Sequence, residues 1–164
     1  MGGTVIGVDT NVLVRILVAD DPDQTARAVA LLTRADAEGA RLFVPQIVLV
    51  ETAWVLRTCY GVGRDEIARV VGELLGAAPV EVEGADRVER ALGAFRTGRA
   101  DLSDYLAYEA TCSAGAQALA TFDETAQRES GFVPPDPDRW PDDITLREDA
   151  PRYSRRRRRV GARA

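Results

Sequence analysis

Short β-branched runs alternate along this chain with longer stretches whose apolar residues recur at helical spacing, and that alternation narrows the fold more than any other feature. Thr4–Val8, Arg41–Val44, Pro79–Val82 and Ala118–Phe122 read as strands. Between them, helices are expected over Asn11–Val18, from Pro22 to Glu38, over Gln46–Tyr60, Arg64–Ala77, Ala85–Phe95 and Asp101–Ala114, with a short one after Asp123 to about Ser130. Their ends carry ordinary punctuation: Gly39, Gly61, Gly98 and Gly115 as stops, and Asp65 and Glu66 at the positive end of a helix. Strands that alternate with helices predict an α/β domain with a mainly parallel sheet.

The pattern dissolves at Pro134. Pro134-Pro135-Asp136-Pro137-Asp138 and Trp140-Pro141 cannot continue a helix or a central strand, and the chain then runs to Arg155-Arg156-Arg157-Arg158-Arg159. The expected organisation is a domain over residues 1–133 and a Pro/Arg-rich tail over 134–164, disordered or loosely docked. At 164 residues and 46% hydrophobic, the chain suffices for one domain with a real core. Charge divides at the same place: residues 1–133 carry a net −8 and the tail +3. The arginine run suggests either a phosphate-binding or a solvated tail.

No apolar run is long enough to cross a bilayer, and no basic segment precedes a long apolar stretch at the start, so a cytoplasmic protein is expected. Cys59 and Cys112 both lie in apolar helical contexts and are expected to be reduced core residues.

All 21 basic residues are arginine, and the chain has neither lysine nor histidine. That removes Ser-His-Asp and Cys-His triads, His-ligated zinc, a P-loop lysine and a Schiff-base lysine. Catalysis must run on carboxylates, hydroxyls, thiols, arginine or a metal, and the oxygen-rich inventory points to Mg²⁺ or Mn²⁺.

Two aspartates end strands: Asp9 the first and Asp123 the fourth. Ligands in open α/β sheets bind beyond the carboxyl ends of strands, although either residue is equally an N-cap. Glu51 shares a helix face with Ile47, Trp54 and Val55, which predicts a carboxylate on a core-facing surface, costly unless paired (with Arg15, for instance) or metal-bound. Asp101 and Asp104 open a helix with capping-box spacing; Asp104 is also a candidate metal ligand, with Asp101 a cap or support. Thr10, Asn11 and Thr121 supply groups beside Asp9 and Asp123 that serve either turns or the site.

Val8-Asp9-Thr10-Asn11-Val12-Leu13, Pro45-Gln46-Ile47-Val48-Leu49-Val50-Glu51, Asp101-Leu102-Ser103-Asp104-Tyr105-Leu106 and Ala120-Thr121-Phe122-Asp123, in that order, resemble the PIN-domain ribonucleases, and within them VapC-type toxins of bacterial toxin–antitoxin pairs. The resemblance covers roughly residues 4–133. It implies an α/β/α sandwich on a mainly parallel four- to five-stranded sheet. It implies endonucleolytic cleavage of RNA with Mg²⁺, or Mn²⁺ in its place, by Asp9, Glu51, Asp104 and Asp123, of which Asp9, Asp104 and Asp123 would hold the metal. It also implies a cognate antitoxin that covers the acidic site, and a homodimer. The tail departs from the family pattern. Two rival readings are a catalytically silent PIN-like binding module and a phosphatase or phosphotransfer domain with Asp9 as nucleophile. The latter usually wants a second acid two residues on, where this chain has Asn11, and a lysine, which it lacks.

Overall fold

A computed structural model describes residues 3–144. The arginine run Arg155–Arg159 lies outside the described residues. The first half consists of β1 (Val5–Gly7), α1 (Thr10–Val18), α2 (Pro22–Ala37), β2 (Arg41–Val44), α3 (Gln46–Tyr60) and α4 (Arg64–Gly76). Then come β3 (Val80–Val82), α5 (Ala85–Thr97), α6 (Leu102–Ser113), β4 (Leu119–Ala120) and β5 (Phe132–Val133). Two short 3₁₀ turns, Ala126–Arg128 and Pro137–Arg139, complete the described chain.

β1, β2 and β3 form a parallel sheet with β2 central. Ile6 stands opposite Leu42, and Val44 opposite Val82. The alternation of β2 decides which face is covered: Leu42 and Val44 are fully buried while Arg41 is exposed. Each connection within this sheet is a pair of helices, as parallel strands require long crossovers. The covering faces repeat at helical spacing: Leu49, Thr52, Ala53 and Leu56 on α3, Ile67, Val70, Val71 and Leu74 on α4, and Val88, Ala91, Leu92 and Phe95 on α5. With Leu102, Tyr105 and Leu106 of α6 they form one core.

The paired strands are all parallel, as the sequence predicts, but they fall into two sheets. β4 pairs with β5 rather than with β1: the Leu119 N–H donates to Gly131 O and the Thr121 N–H to Val133 O, both at 2.9 Å. Those bonds occupy one edge of a strand only two residues long, and Val5 and Ile6 of β1 remain exposed. β5 has no counterpart in the sequence-based expectation, because Phe132-Val133 is too short to carry a period. The helix expected up to Ser130 is reduced to the single turn Ala126–Arg128.

Two further expectations need correction. Cys59 is exposed and Cys112 half-buried; both thiols are free, but neither belongs to the core. The α3 face bearing Ile47, Glu51 and Trp54 is not core-facing: Ile47 is 72% and Trp54 57% exposed. The helix is apolar nearly all round, so periodicity alone cannot choose which side packs. No described helix is long and apolar enough to cross a membrane.

Candidate active site

Asp9, Asp101, Asp104 and Asp123 sit at helix starts and strand ends, and Glu51 in the middle of α3. Asp9 is the N-cap of α1, in extended backbone, and its Oδ1 accepts the Val12 N–H at 2.9 Å. Thr10, buried beneath it, donates its hydroxyl to Glu51 Oε2 at 2.5 Å, linking the start of α1 to the middle of α3. Glu51 is solvent-exposed and pairs with no arginine among the described residues; Arg15 turns instead to Asp20, Tyr60 and Gln24. The carboxylate therefore avoids the desolvation cost a core position would impose, and the Thr10 bond supplies its orientation.

Asp101 and Asp104 open α6. The Asp101 N–H donates to Asp104 Oδ2 at 3.0 Å, the return arm of a capping box. Asp101 also pairs with Arg57 of α3. The turn that presents both acids is tied down by Arg64, whose guanidinium lies 3.7 Å over the Phe95 ring and donates to Phe95 O and Ala100 O. Asp104 is half-buried. Burial pushes its carboxyl above the usual range, and the charges of Asp101 and Asp123 push further, against the pull of the Asp101 N–H. Asp123 thus lies within electrostatic reach of Asp104.

Asp123 itself is exposed just beyond β4. Its Oδ1 accepts from the Thr125 N–H at 2.7 Å, and its own N–H donates to Thr121 Oγ1 at 3.0 Å. Thr121 therefore shapes the turn that holds Asp123. Asn11 and Asp9 line a cleft of about 390 Å³ between α1 and α2. Glu51 and Asp101 border a separate, largely apolar cavity of about 420 Å³ with Ile47, Trp54, Arg57 and Ser103. Arg57, Ser103 and the Trp54 ring are members of this surface that sequence reasoning missed. None carried a signal, since each is an unremarkable helix residue until α3 and α6 meet.

The structure thus connects Thr10 with Glu51, Asp101 with Asp104, and Asp104 with Asp123. As the side chains are set, no three carboxylates or thiols among the described residues stand close enough together to hold one metal ion. The donor chemistry does fit a hard divalent cation. Every candidate ligand is a carboxylate, and the caps engage one oxygen each of Asp9, Asp104 and Asp123, leaving the second without a hydrogen bond among the described residues. The carboxyl of Asp104 is raised first by burial and then by the charges of Asp101 and Asp123, and a cation would offset the like-charge part.

Parallel strands carry candidate acids beyond their carboxyl ends, and α3 and α6 carry a third and a fourth, on an α/β fold. The PIN domain family model matches residues 6–130, and the chain belongs to that family. PIN domains are generally nucleases that work with divalent metal ions and act on RNA. No curated protein matches the chain closely enough to stand as a relative.

Proposed function

We propose that this protein is an endoribonuclease that hydrolyses RNA phosphodiesters with a divalent cation, Mg²⁺ or in its place Mn²⁺, held by Asp9, Asp104 and Asp123. The observation that carries this reading is the placement of Asp104 at the start of α6, half-buried beside Asp101 and within electrostatic reach of Asp123, in a chain without histidine or lysine. When bound, a divalent ion lowers the pKa of water and offsets charge on the phosphate oxygens. Glu51, oriented by the Thr10 hydroxyl, takes the proton of the attacking water as its oxygen bonds to phosphorus. One P–O ester bond breaks, and the departing oxygen takes its proton from solvent water. Asp101, held by Arg57, keeps the start of α6 in place, while Asn11 and Thr121 support the turns of Asp9 and Asp123.

The likeness to VapC-type toxins extends the proposal to biology: a cytoplasmic toxin that forms a homodimer and is silenced by a cognate antitoxin covering the acidic surface. The test is cleavage of labelled RNA by the purified protein with Mg²⁺ or Mn²⁺, beside Asp9→Asn, Glu51→Gln, Asp104→Asn and Asp123→Asn. Each substitution is expected to abolish cutting, and new 5′ ends mapped across a transcriptome after induction should vanish with Asp9→Asn. Cuts that persist in that variant refute the assignment. Growth arrest relieved by a small DNA-binding protein encoded next door would support the toxin role; an unaffected culture would refute it.

A further inference from the structure

We infer that the cavity beside Asp123 is a subsite for one unpaired nucleotide of the substrate strand, with Phe122 stacking on its base and Arg128 and Arg139 taking its phosphates. The inference rests on the nuclease reading for the identity of the strand, and on a surface the acidic residues do not use.

Phe122 is 87% exposed, the most exposed large hydrophobic of the described chain, and it directly precedes Asp123. A phenyl ring so placed gains nothing for the core and stands ready for a planar partner. It lines a cavity of about 610 Å³ with Glu124, Gln127, Arg128, Asp136 and Arg139. That volume falls within the range of small-molecule sites, and the lining combines an aromatic face, cations and hydrogen-bonding groups, which is what a nucleotide requires. Neither Arg128 nor Arg139 makes an ion pair among the described residues. Gln127 donates to Thr121 O at 2.7 Å, which fixes the amide and leaves its carbonyl oxygen for a base edge.

The cavity has a second wall from the segment after Pro134, beyond the reach of the family match. β4 and β5 run parallel, so both lead out at the end where Asp123 sits. The chain then folds back through the Pro137–Arg139 turn, pinned by the Trp140 Nε1–H donating to Pro134 O at 2.6 Å. Arg139, next to that pin, lines the same cavity as Phe122. The acidic residues Glu124 and Asp136 leave the cavity without net charge, so stacking, which is indifferent to charge, supplies affinity that a domain of net −8 cannot draw from its overall field.

The experiment uses the full chain carrying Asp9→Asn, with EDTA, and a fluorescein-labelled single-stranded RNA 12-mer pool of mixed sequence read by anisotropy. Phe122→Leu, which keeps the apolar bulk, is expected to weaken binding about tenfold, as loss of one base stack does, while Phe122→Trp binds at least as well as the parent. Arg139→Gln is expected to reduce the slope of log affinity against log salt by about 0.7, the share of one phosphate contact on a single strand. A duplex of the same pool should compete poorly. Unchanged binding in Phe122→Leu, equal losses in the Leu and Trp variants, or a duplex that binds as tightly as the strand would each overturn the subsite. Because binding is read without cleavage, these results separate from the nuclease assay. RNA cutting that is intact while Phe122→Leu binds normally removes the subsite alone; stacking-dependent binding without cutting in the parent removes the catalytic assignment alone.

Discussion

Replacing Thr52 by valine should make this protein more stable. Thr52 lies on the packed side of α3 at 2% exposure, and its hydroxyl has no hydrogen-bond partner among the described residues. A helical threonine usually returns its hydroxyl to the carbonyl four residues back, and here that bond is not made. Leaving a buried hydroxyl unpaired costs about 1–3 kcal/mol. Valine keeps the branched shape, removes the polar atom, and has nearly the same helix propensity. The expected gain is therefore about 1–3 kcal/mol, or roughly 2–12 °C in Tm for a domain of this size. Thr52→Ser is the control: it keeps the stranded hydroxyl and loses a buried methyl, so it should lose about 1 kcal/mol. Urea unfolding of the three proteins at equal m-value gives the comparison, and RNA cleavage should be unaltered in Thr52→Val. A valine variant less stable than the parent would refute the reasoning, because it would mean the hydroxyl is paired in solution.

Gly131→Ala should be severely destabilising, by about 3 kcal/mol or more in urea unfolding, since φ is +90° there and the new Cβ would lie 2.3 Å from the Tyr108 ring. Ala19→Gly should stabilise by about 0.5–1 kcal/mol, because Ala19 closes α1 in the left-handed region at φ 57°. Asp104 has a raised carboxyl pKa in the folded state, so the metal-free protein binds more protons folded than unfolded above the ordinary carboxylate range. Its stability should fall as pH rises through that raised value, and Asp104→Asn should raise the neutral-pH Tm of metal-free protein while abolishing cleavage. Protons and cation compete for the same carboxylate, so Mg²⁺ affinity measured by calorimetry should weaken as pH falls towards it. Asp9→Asn should hold stability near the parent in thermal melts, since asparagine also caps, whereas Asp9→Ala should lose about 0.5–2 kcal/mol.

The parts of the fold legible in the sequence are those with a long period or a sharp punctuation mark. β2 and the helices from α1 to α6 lie close to where spacing puts them, and α2, α3 and α6 are followed by left-handed glycines, Gly39, Gly61 and Gly115. The two-residue strands β4 and β5 carry no period, and which strand β4 joins depends on Gly131 and Val133, far along the chain. Glu51 teaches a related lesson. Ile47, Glu51 and Trp54 do share a face, but in a helix apolar all round the packing partner chooses the buried side, and it chose Leu49, Thr52, Ala53 and Leu56. Phe122 gave no signal because a strand-end phenylalanine ordinarily points inward; only the short β4–β5 ladder turns it out to solvent.

The sequence set capping and catalysis against each other as explanations for Asp9, Asp104 and Asp123. The geometry removes that opposition. A carboxylate has two oxygens, and in each of these residues a backbone N–H near a helix or turn start engages one of them. That bond fixes the rotamer, so the other oxygen faces a set direction without further ordering cost. A site made of caps is thus preorganised by the same local bonds that start the helices. Under the proposed function, its acids need no dedicated scaffold of buried partners, only the local bonds of the helix and turn starts. The same arrangement makes alanine a poor probe of such a site: it removes the cap and the charge together, and a loss of activity could then reflect a displaced helix start. Asparagine keeps the cap and removes the charge, so its effect on cleavage measures what the carboxylate does beyond holding the backbone.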